Sequence, residues 1–367
     1  MVKSVLILGG TISSTYFLRR ISKHVDHIEI ICNTHEPSSF SNLGKKIRYG
    51  SVAEVADVVL AWIKSKRDVC DSWLIVPCSE LFVEFVPLFF EYGFDVFSSG
   101  SEFLNLFTNK KTFYAWLEKE LGYSRLFFSI DDPLDFTGAN KYIAKPIATS
   151  SRSNVNFKTK ILSNKADLSQ LQNELTPEQK KNVLVQVLHP DVQSLSYGSV
   201  WCHGIEVAHV IVRQIRQYPK GVSSSVDENV ASEDIKKIRE VVKSISKRFL
   251  LNGFIELEFI KSGDKVYPID LNPRLWGWSN FIFHKFDGLS FGIFCDDKFD
   301  VAKKPDVTSW CFFLREIPAI FSDDNLSPLR KLVEARRAFA YSKVDCLCFS
   351  DIRPEFSSMI RKKLSHR

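Results

Sequence analysis

The chain has 367 residues, 45% of them hydrophobic and 25% charged, a globular composition that excludes disorder, a collagen helix and a coiled-coil rod and leaves room for two or three domains. Its net charge of +6 is mild for this length, and no basic run is interleaved with aromatics, so it suits an anionic small molecule and gives no signature of nucleic acid. Eight cysteines form no C-x-x-C pair, so free buried thiols are expected rather than a zinc site. No run approaches the roughly 20 apolar residues of a membrane span, and the apolar start, Met1 to Leu8, is too short for a secretory signal. The chain reads as cytoplasmic, with peripheral attachment to a membrane left open.

Val5 to Leu8 is a continuous apolar run that stops at Gly9-Gly10, the pattern of a strand buried on both faces. A helix is expected over Thr11–Arg20, then a strand over Ile28–Cys32, a helix over Val52–Lys64, a strand over Leu74–Val76 and a helix over Glu80–Tyr92. This alternation predicts a small doubly wound α/β domain with a parallel sheet. The G-x-G-x-x-G fingerprint is missing, so a dinucleotide site on the first turn is weakly supported. Further along, the pattern predicts a helix over Asn105–Leu121, strands at Tyr142–Pro146 and Val183–Leu188, a helix over Asp167–Leu175, and an antiparallel pair over 195–213 around Gly204. A long amphipathic helix from Ser232, read as its N-cap, to Phe249 follows.

The most informative stretch runs from Gly253 to Arg274. Two alternating apolar/polar runs flank Ser262-Gly263-Asp264, a β-hairpin pattern. A hairpin centred near Asp264 sets Glu258 opposite Asp270 and Glu256 opposite Asn272, with Asp270 and Asn272 on the face of Glu258. Opposed side chains stand about 4.5–5.5 Å apart at Cβ, where two carboxylates repel. A hard divalent cation reverses that sign, because Mg²⁺ takes oxygen ligands and shares its site with substrate phosphates. Arg274, just beyond, suits a further anion. The plain alternative is an acidic, solvated sheet face. Lys145 ends a strand before a hydroxyl-rich loop with Ser150, Ser151 and Ser153, whose hydroxyls and amides suit phosphate oxygens. The strand end Gln186, Val187 and Leu188 offers backbone groups to a purine edge and apolar side chains to its faces.

In this order, these parts resemble the ATP-grasp superfamily of carboxylate–amine ligases, in particular a predicted carboligase branch with a pre-ATP-grasp N-terminal domain. The resemblance runs from about residue 2 to about residue 290. It implies an α/β fold, α+β in the catalytic part, with a Rossmann-like N-terminal domain over residues 1–103. A two-lobed ATP-grasp domain would follow, its small lobe with a lid over 104–188 and its large lobe with the metal site over 189–295, and then a C-terminal extension over 296–367. Asn109-Lys110-Lys111-Thr112-Phe113 resembles the family's Asp-Lys-x-x-Phe element, which carries Lys110 over as a phosphate ligand. Lys145 matches the second phosphate-binding lysine. Gln186 to Leu188 falls at the adenine hinge, and Gln193 falls where a ribose-binding Glu is frequent. Glu258 with Asp270-Leu271-Asn272-Pro273-Arg274 matches the metal motif, usually written Glu-x-Asn-Pro-Arg. The departure is the loop after Lys145, which has no glycine where family members usually do.

The resemblance implies ATP and Mg²⁺, with Mn²⁺ as a substitute, and small-molecule carboxylate and amine substrates. It implies ADP-forming amide synthesis through an acylphosphate, with Glu258, Asp270 and Asn272 on the metal and Arg274 catalytic. An amino acid is expected as one substrate, with an amino acid, peptide or sugar acid as the other, and a homodimer is compatible with this class. Arg213, Arg216 and Lys220 read as either substrate ligands or plain surface cations, and Trp276 and Trp278 as either pocket walls or core. Rival readings are a degenerate ATP-binding regulator, a small-molecule kinase and a dinucleotide oxidoreductase.

Overall fold

The computed structural model describes residues 4–137, 141–148, 154–189, 192–219, 221–293, 301–345, 349–351 and 353–354. Strands β1 (Ser4–Leu8), β2 (His27–Asn33), β3 (Lys45–Tyr49), β4 (Trp73–Pro77) and β5 (Asp95–Val96) form a parallel sheet in the order β3-β2-β1-β4-β5. The apolar run of β1 is fully buried because this strand is central and covered on both faces. Alternate side chains feed different cores: Leu6 and Leu8 join Trp62, Phe82 and Phe89, whereas Val5 and Ile7 join Phe17 and Leu18. The edge strand β3 escapes the apolar pattern because it reads Lys-Lys-Ile-Arg-Tyr, charges that an edge tolerates.

Helix Ile12–Ile21 opens under Thr11, whose hydroxyl accepts the Ser14 N–H. The single helix expected over 80–92 is two, Glu80–Val83 and Val86–Glu91, with Pro87 in the first turn of the second. The helix expected over 105–121 is likewise two, Ser101–Phe107 and Lys110–Leu121. Asn109 is extended, and its side chain accepts the Lys111 N–H at 2.9 Å to cap the second.

A small antiparallel sheet follows in the order β6-β9-β7-β8, from β6 (Phe128–Ser129), β7 (Lys141–Pro146), β8 (Lys160–Leu162) and β9 (Val183–Leu188). Its separate core includes Tyr142, Ala144, Leu162, Leu171, Val183 and Val185. Because β7 buries Tyr142, Ala144 and Pro146, Lys145 points to the opposite face.

The third sheet has seven strands in the order β14-β13-β10-β11-β12-β17-β18: β10 (Gln193–Cys202), β11 (Ile205–Gln217), β12 (Ser223–Asp227), β13 (Gly253–Ser262), β14 (Lys265–Asn272), β17 (Ser309–Phe312) and β18 (Lys343–Asp345). A short pair, β15 (Phe286–Asp287) with β16 (Ala302–Lys303), lies between. The β10–β11 turn sits at His203-Gly204, both at positive φ (48° and 83°), which matches the twist of a tight hairpin. Helix Ser232–Arg248 buries Ile238, Val241, Val242 and Ile245 at helical spacing. Ala231, not Ser232, is its N-cap, without a side-chain cap bond. Asp351 ties the C-terminal part to the elements around the N-terminal parallel sheet: it accepts from Arg19 Nε (3.1 Å), Ser41 Oγ (2.7 Å) and the Asn42 N–H (2.8 Å).

Among the described residues there is no disulfide; Cys32, Cys78 and Cys311 are buried free thiols, pushed up to about 12 by burial. No helix among them is long and apolar enough to cross a membrane.

Candidate active site

The hairpin β13–β14 pairs Glu258 with Asp270 and Glu256 with Asn272, as the spacing predicts. The route to that register is different. The two-residue turn Gly263-Asp264, with Gly263 at φ 58°, pairs Ser262 with Lys265 and alone would set Ile269 opposite Glu258. A bulge next to Glu258 takes up Ile269 as the extra residue and brings Asp270 round to oppose Glu258.

Asn272 donates from Nδ2 to Glu256 Oε2 (3.2 Å) and Glu258 Oε1 (3.0 Å), which turns its Oδ1 to accept from Arg274 Nη2 at 3.0 Å. Trp278 Nε1 donates to Glu256 Oε1 at 2.8 Å. Burial, then the neighbouring Glu258, pushes the Glu256 carboxyl up to about 8. Glu258 is raised by burial and by Asp270 opposite. Arg274 Nε is buried and has no hydrogen-bond partner.

Lys110 heads its helix with Nζ 2.6 Å from Asp270 Oδ1. Its backbone N–H donates to the Ile147 carbonyl at 2.9 Å, which ties the helix start to the end of β7. Burial pulls the ammonium down, but Asp270, Glu80 and Glu258 outweigh it and leave it raised. Lys145 comes from the small sheet toward the same carboxylates. Burial lowers its ammonium, Asp270 opposes that, and Lys110 adds to it. Lys145 Nζ donates to Gln186 Oε1 at 3.2 Å, and Gln186 Nε2 donates to the Leu126 carbonyl at 3.1 Å. Glu80, Glu84, Lys110, Ala148, Asp270 and Arg274 line one cleft.

The structure thus brings Lys110, Lys145, Glu258, Asp270, Asn272 and Arg274 together, with Gln186 behind Lys145. Val187 is exposed and Leu188 half-buried at the end of β9, and Gln193 is exposed opposite Lys261. Ser150, Ser151 and Ser153 lie outside the described residues, as do Lys220 and the Cys346–Cys348 segment. Trp276 and Trp278 are core rather than pocket walls: both are buried, and they fill the space left by Gly198, where a Cβ would stand 2.5 Å from Trp276. Arg213 is paired across the sheet with Asp227, and Arg216 ties the sheet to Glu316 and Glu334 on two helices, so both guanidiniums are engaged in the fold.

Sequence reading missed Tyr114, whose hydroxyl donates to the bulged Ile269 carbonyl at 2.5 Å, and Glu80 beside Lys110. A signal for Glu80 exists: it follows β4, and open α/β sheets bind ligands beyond the carboxyl ends of their strands. The first βα turn is not such a place here. The Gly10 N–H donates to Glu36 Oε2 at 2.9 Å, and the Asn33 N–H to the same oxygen at 2.8 Å. A carboxylate of the protein therefore takes the amide that a pyrophosphate would need. Among the described residues no three His, Cys, Asp or Glu side chains cluster as metal ligands. The opposed carboxylates of Glu258 and Asp270 are oxygen donors of the kind a hard divalent cation takes, and Asn272 adds a third oxygen only if its amide turns so that Oδ1 replaces the Nδ2 now facing Glu258.

No family model and no curated protein matches the sequence. Solved structures do. The biotin carboxylase domain dimer of Hydrogenobacter thermophilus 2-oxoglutarate carboxylase, determined with MgADP, ADP and bicarbonate, superposes with a TM-score of 0.63 at 13% identity over 80% of this chain and 69% of that one. Staphylococcus aureus N5-carboxyaminoimidazole synthetase complexed with ADP gives 0.61 at 12% identity, over 82% and 80%. Campylobacter jejuni biotin carboxylase in a β,γ-ATP complex gives 0.60 at 14%, over 80% and 70%. The mixed α/β architecture, with its N-terminal parallel sheet and C-terminal mixed sheet, is the ATP-grasp fold of these enzymes.

Proposed function

We propose that this chain is an ATP-dependent, ADP-forming ligase that activates a carboxylate as an acylphosphate and joins it to an amine. The observation that carries this reading is the convergence of three cations, Lys110, Lys145 and Arg274, on the opposed carboxylates Glu258 and Asp270. The nucleotides held by the similar structures support it. Glu258, Asp270 and the Asn272 carbonyl oxygen would hold Mg²⁺, which, when bound, neutralises the β/γ-phosphate oxygens and polarises the transferred phosphoryl group. Lys110 and Lys145 balance the remaining phosphate charge. Gln186 holds the Lys145 ammonium in place, and the backbone of Gln186 to Leu188 offers an edge to the adenine. The hydroxyls of Ser150, Ser151 and Ser153 are assigned to phosphate and Gln193 to ribose. The substrate carboxylate attacks the γ-phosphate and releases ADP; the amine then attacks the acyl carbon and phosphate leaves. Arg274 stabilises the charge that develops on the phosphoryl and acyl oxygens. An amino acid is proposed as one substrate, and an amino acid, peptide or sugar acid as the other. A homodimer is proposed on the likeness to a dimeric relative.

Mg²⁺-dependent ADP and phosphate release, measured with pooled carboxylates and amines, tests the reading, with mass spectrometry of any amide. ADP release that requires both an acid and an amine is the expected result. ADP release with a phosphorylated alcohol as product would make the protein a kinase, and nucleotide binding without release from any pool would make it a regulator.

A further inference from the structure

We propose that the helix Pro328–Tyr341 is a docking surface for an anionic lipid membrane. The helix begins firmly: Pro328 lies in its first turn and the Ser327 side chain accepts the Arg330 N–H. It packs inward through Ala338 and through Phe339, whose ring meets Phe313. Its one carboxylate, Glu334, also turns inward and is ion-paired with Arg216. The outward side is built differently. Leu329, Leu332 and Val333 are 73%, 60% and 56% exposed and recur at helical spacing, so they share one face. Arg330, Arg336 and Arg337 are exposed beside them. Phe321, 49% exposed, extends the apolar patch, since its carbonyl accepts Lys331 Nζ at 2.8 Å.

Water gains nothing from three such aliphatic side chains, whereas a bilayer interface takes both halves of this face. Aliphatic groups enter the headgroup–acyl boundary and guanidiniums pair with lipid phosphates. A second copy of the chain on a two-fold axis would set the same three arginines against each other, since the helix's only carboxylate, Glu334, turns inward to Arg216. A nucleic acid would leave the aliphatic centre unmatched. Because no helix among the described residues can span a bilayer, the contact they make is peripheral.

Cosedimentation of the full chain with vesicles tests this, and the readout needs no turnover, so it stands apart from the ligase reading. Binding is expected to vesicles of phosphatidylcholine with one-third phosphatidylglycerol, not to phosphatidylcholine alone, and to weaken with salt. Arg330→Gln with Arg336→Gln and Arg337→Gln should lower the partition coefficient roughly 10²-fold, at about 1 kcal/mol per charge. The corresponding lysine variant should retain most of it, which separates charge from fold. Leu329→Ser with Leu332→Ser and Val333→Ser should lose binding at unchanged charge. Equal binding to both vesicles, or parental binding by the serine variant, would overturn the proposal. So would a serine variant that changes only the mass in sedimentation equilibrium, because a second copy would then cover the face.

Discussion

Glu256 and Glu258 share one face of β13, and their partners separate their roles. Glu256 is held inward by Trp278 and Asn272, whereas Glu258 looks across to Asp270. Asp270→Ala removes the counter-ion of Lys110 and one of the two opposed carboxylates. Mg²⁺-dependent ADP release should fall by at least about 10²–10³; near-parental turnover would move the metal site elsewhere. Lys145→Ala should raise the KM for ATP or lower kcat comparably, with Gln186 left without its ammonium partner. The pair Glu258/Asp270 was legible because a strand's period is two and the hairpin is local. Glu29 was not legible at all. Buried in β2, it is pushed up by desolvation, yet the N–H of Trp62 (2.6 Å), with His27, Lys45 and Lys66, outweighs this and holds it at about 2. A depressed carboxyl stabilises the fold above its unfolded value, near 4.5, and that contribution disappears as pH falls from there toward 2. Glu29→Gln should therefore cost about 2–3 kcal/mol at neutral pH and shrink the difference from the parent in acid, as read by denaturant titrations at several pH values. A pH-independent difference would count against the charge-based account.

At the scale of elements, the hairpin shows how a correct register can hide its cause. Alternation placed Asp270 against Glu258, but the turn is centred between Gly263 and Asp264 rather than on Asp264, and the bulge at Ile269 restores the match. Alternating hydrophobicity does not record a bulge, since the extra residue is itself apolar. The start of β13 carries a sharper constraint. Gly253 lies at φ +86°, and a Cβ there would stand 2.3 Å from the Phe97 carbonyl oxygen, where the strand bridges to Ser98 just after the N-terminal parallel sheet. Gly253→Ala should lower stability by about 2–4 kcal/mol through backbone strain and a clash with main chain. A melting temperature equal to the parent's would show that this junction yields. The helices that divided at Asn109 and near Pro87 were legible in hindsight, because Asn and Pro are cap and first-turn residues.

On the scale of the whole molecule, the site exists because three sheets meet. Lys110 leads a helix between two of them, Lys145 comes from the small sheet, and the carboxylates come from the large one. Asp351 joins the far end of the chain to helix Ile12–Ile21 and to the Ser41–Asn42 turn. Asp351→Ala leaves the largely buried Arg19 without its carboxylate and should cost about 2–4 kcal/mol. Hydrogen exchange at the Asn42 amide should accelerate with it; unchanged exchange would mean that Asp351 does not hold the two parts together.

The N-terminal parallel sheet, the hairpin and its acidic face were determined by the sequence itself, because hydrophobic period and turn residues act over a few positions. The order of the motifs likewise carried the resemblance to the ATP-grasp superfamily. Tertiary structure alone decided that Trp276 and Trp278 fill the core over Gly198, that Arg213 pairs across the sheet while Arg216 ties it to two helices, and that Glu36 occupies the first turn. It also decided which face of Pro328–Tyr341 points outward. Each of these rests on a partner from a distant part of the chain, and the periodicity of a segment holds no information about what will be packed against it.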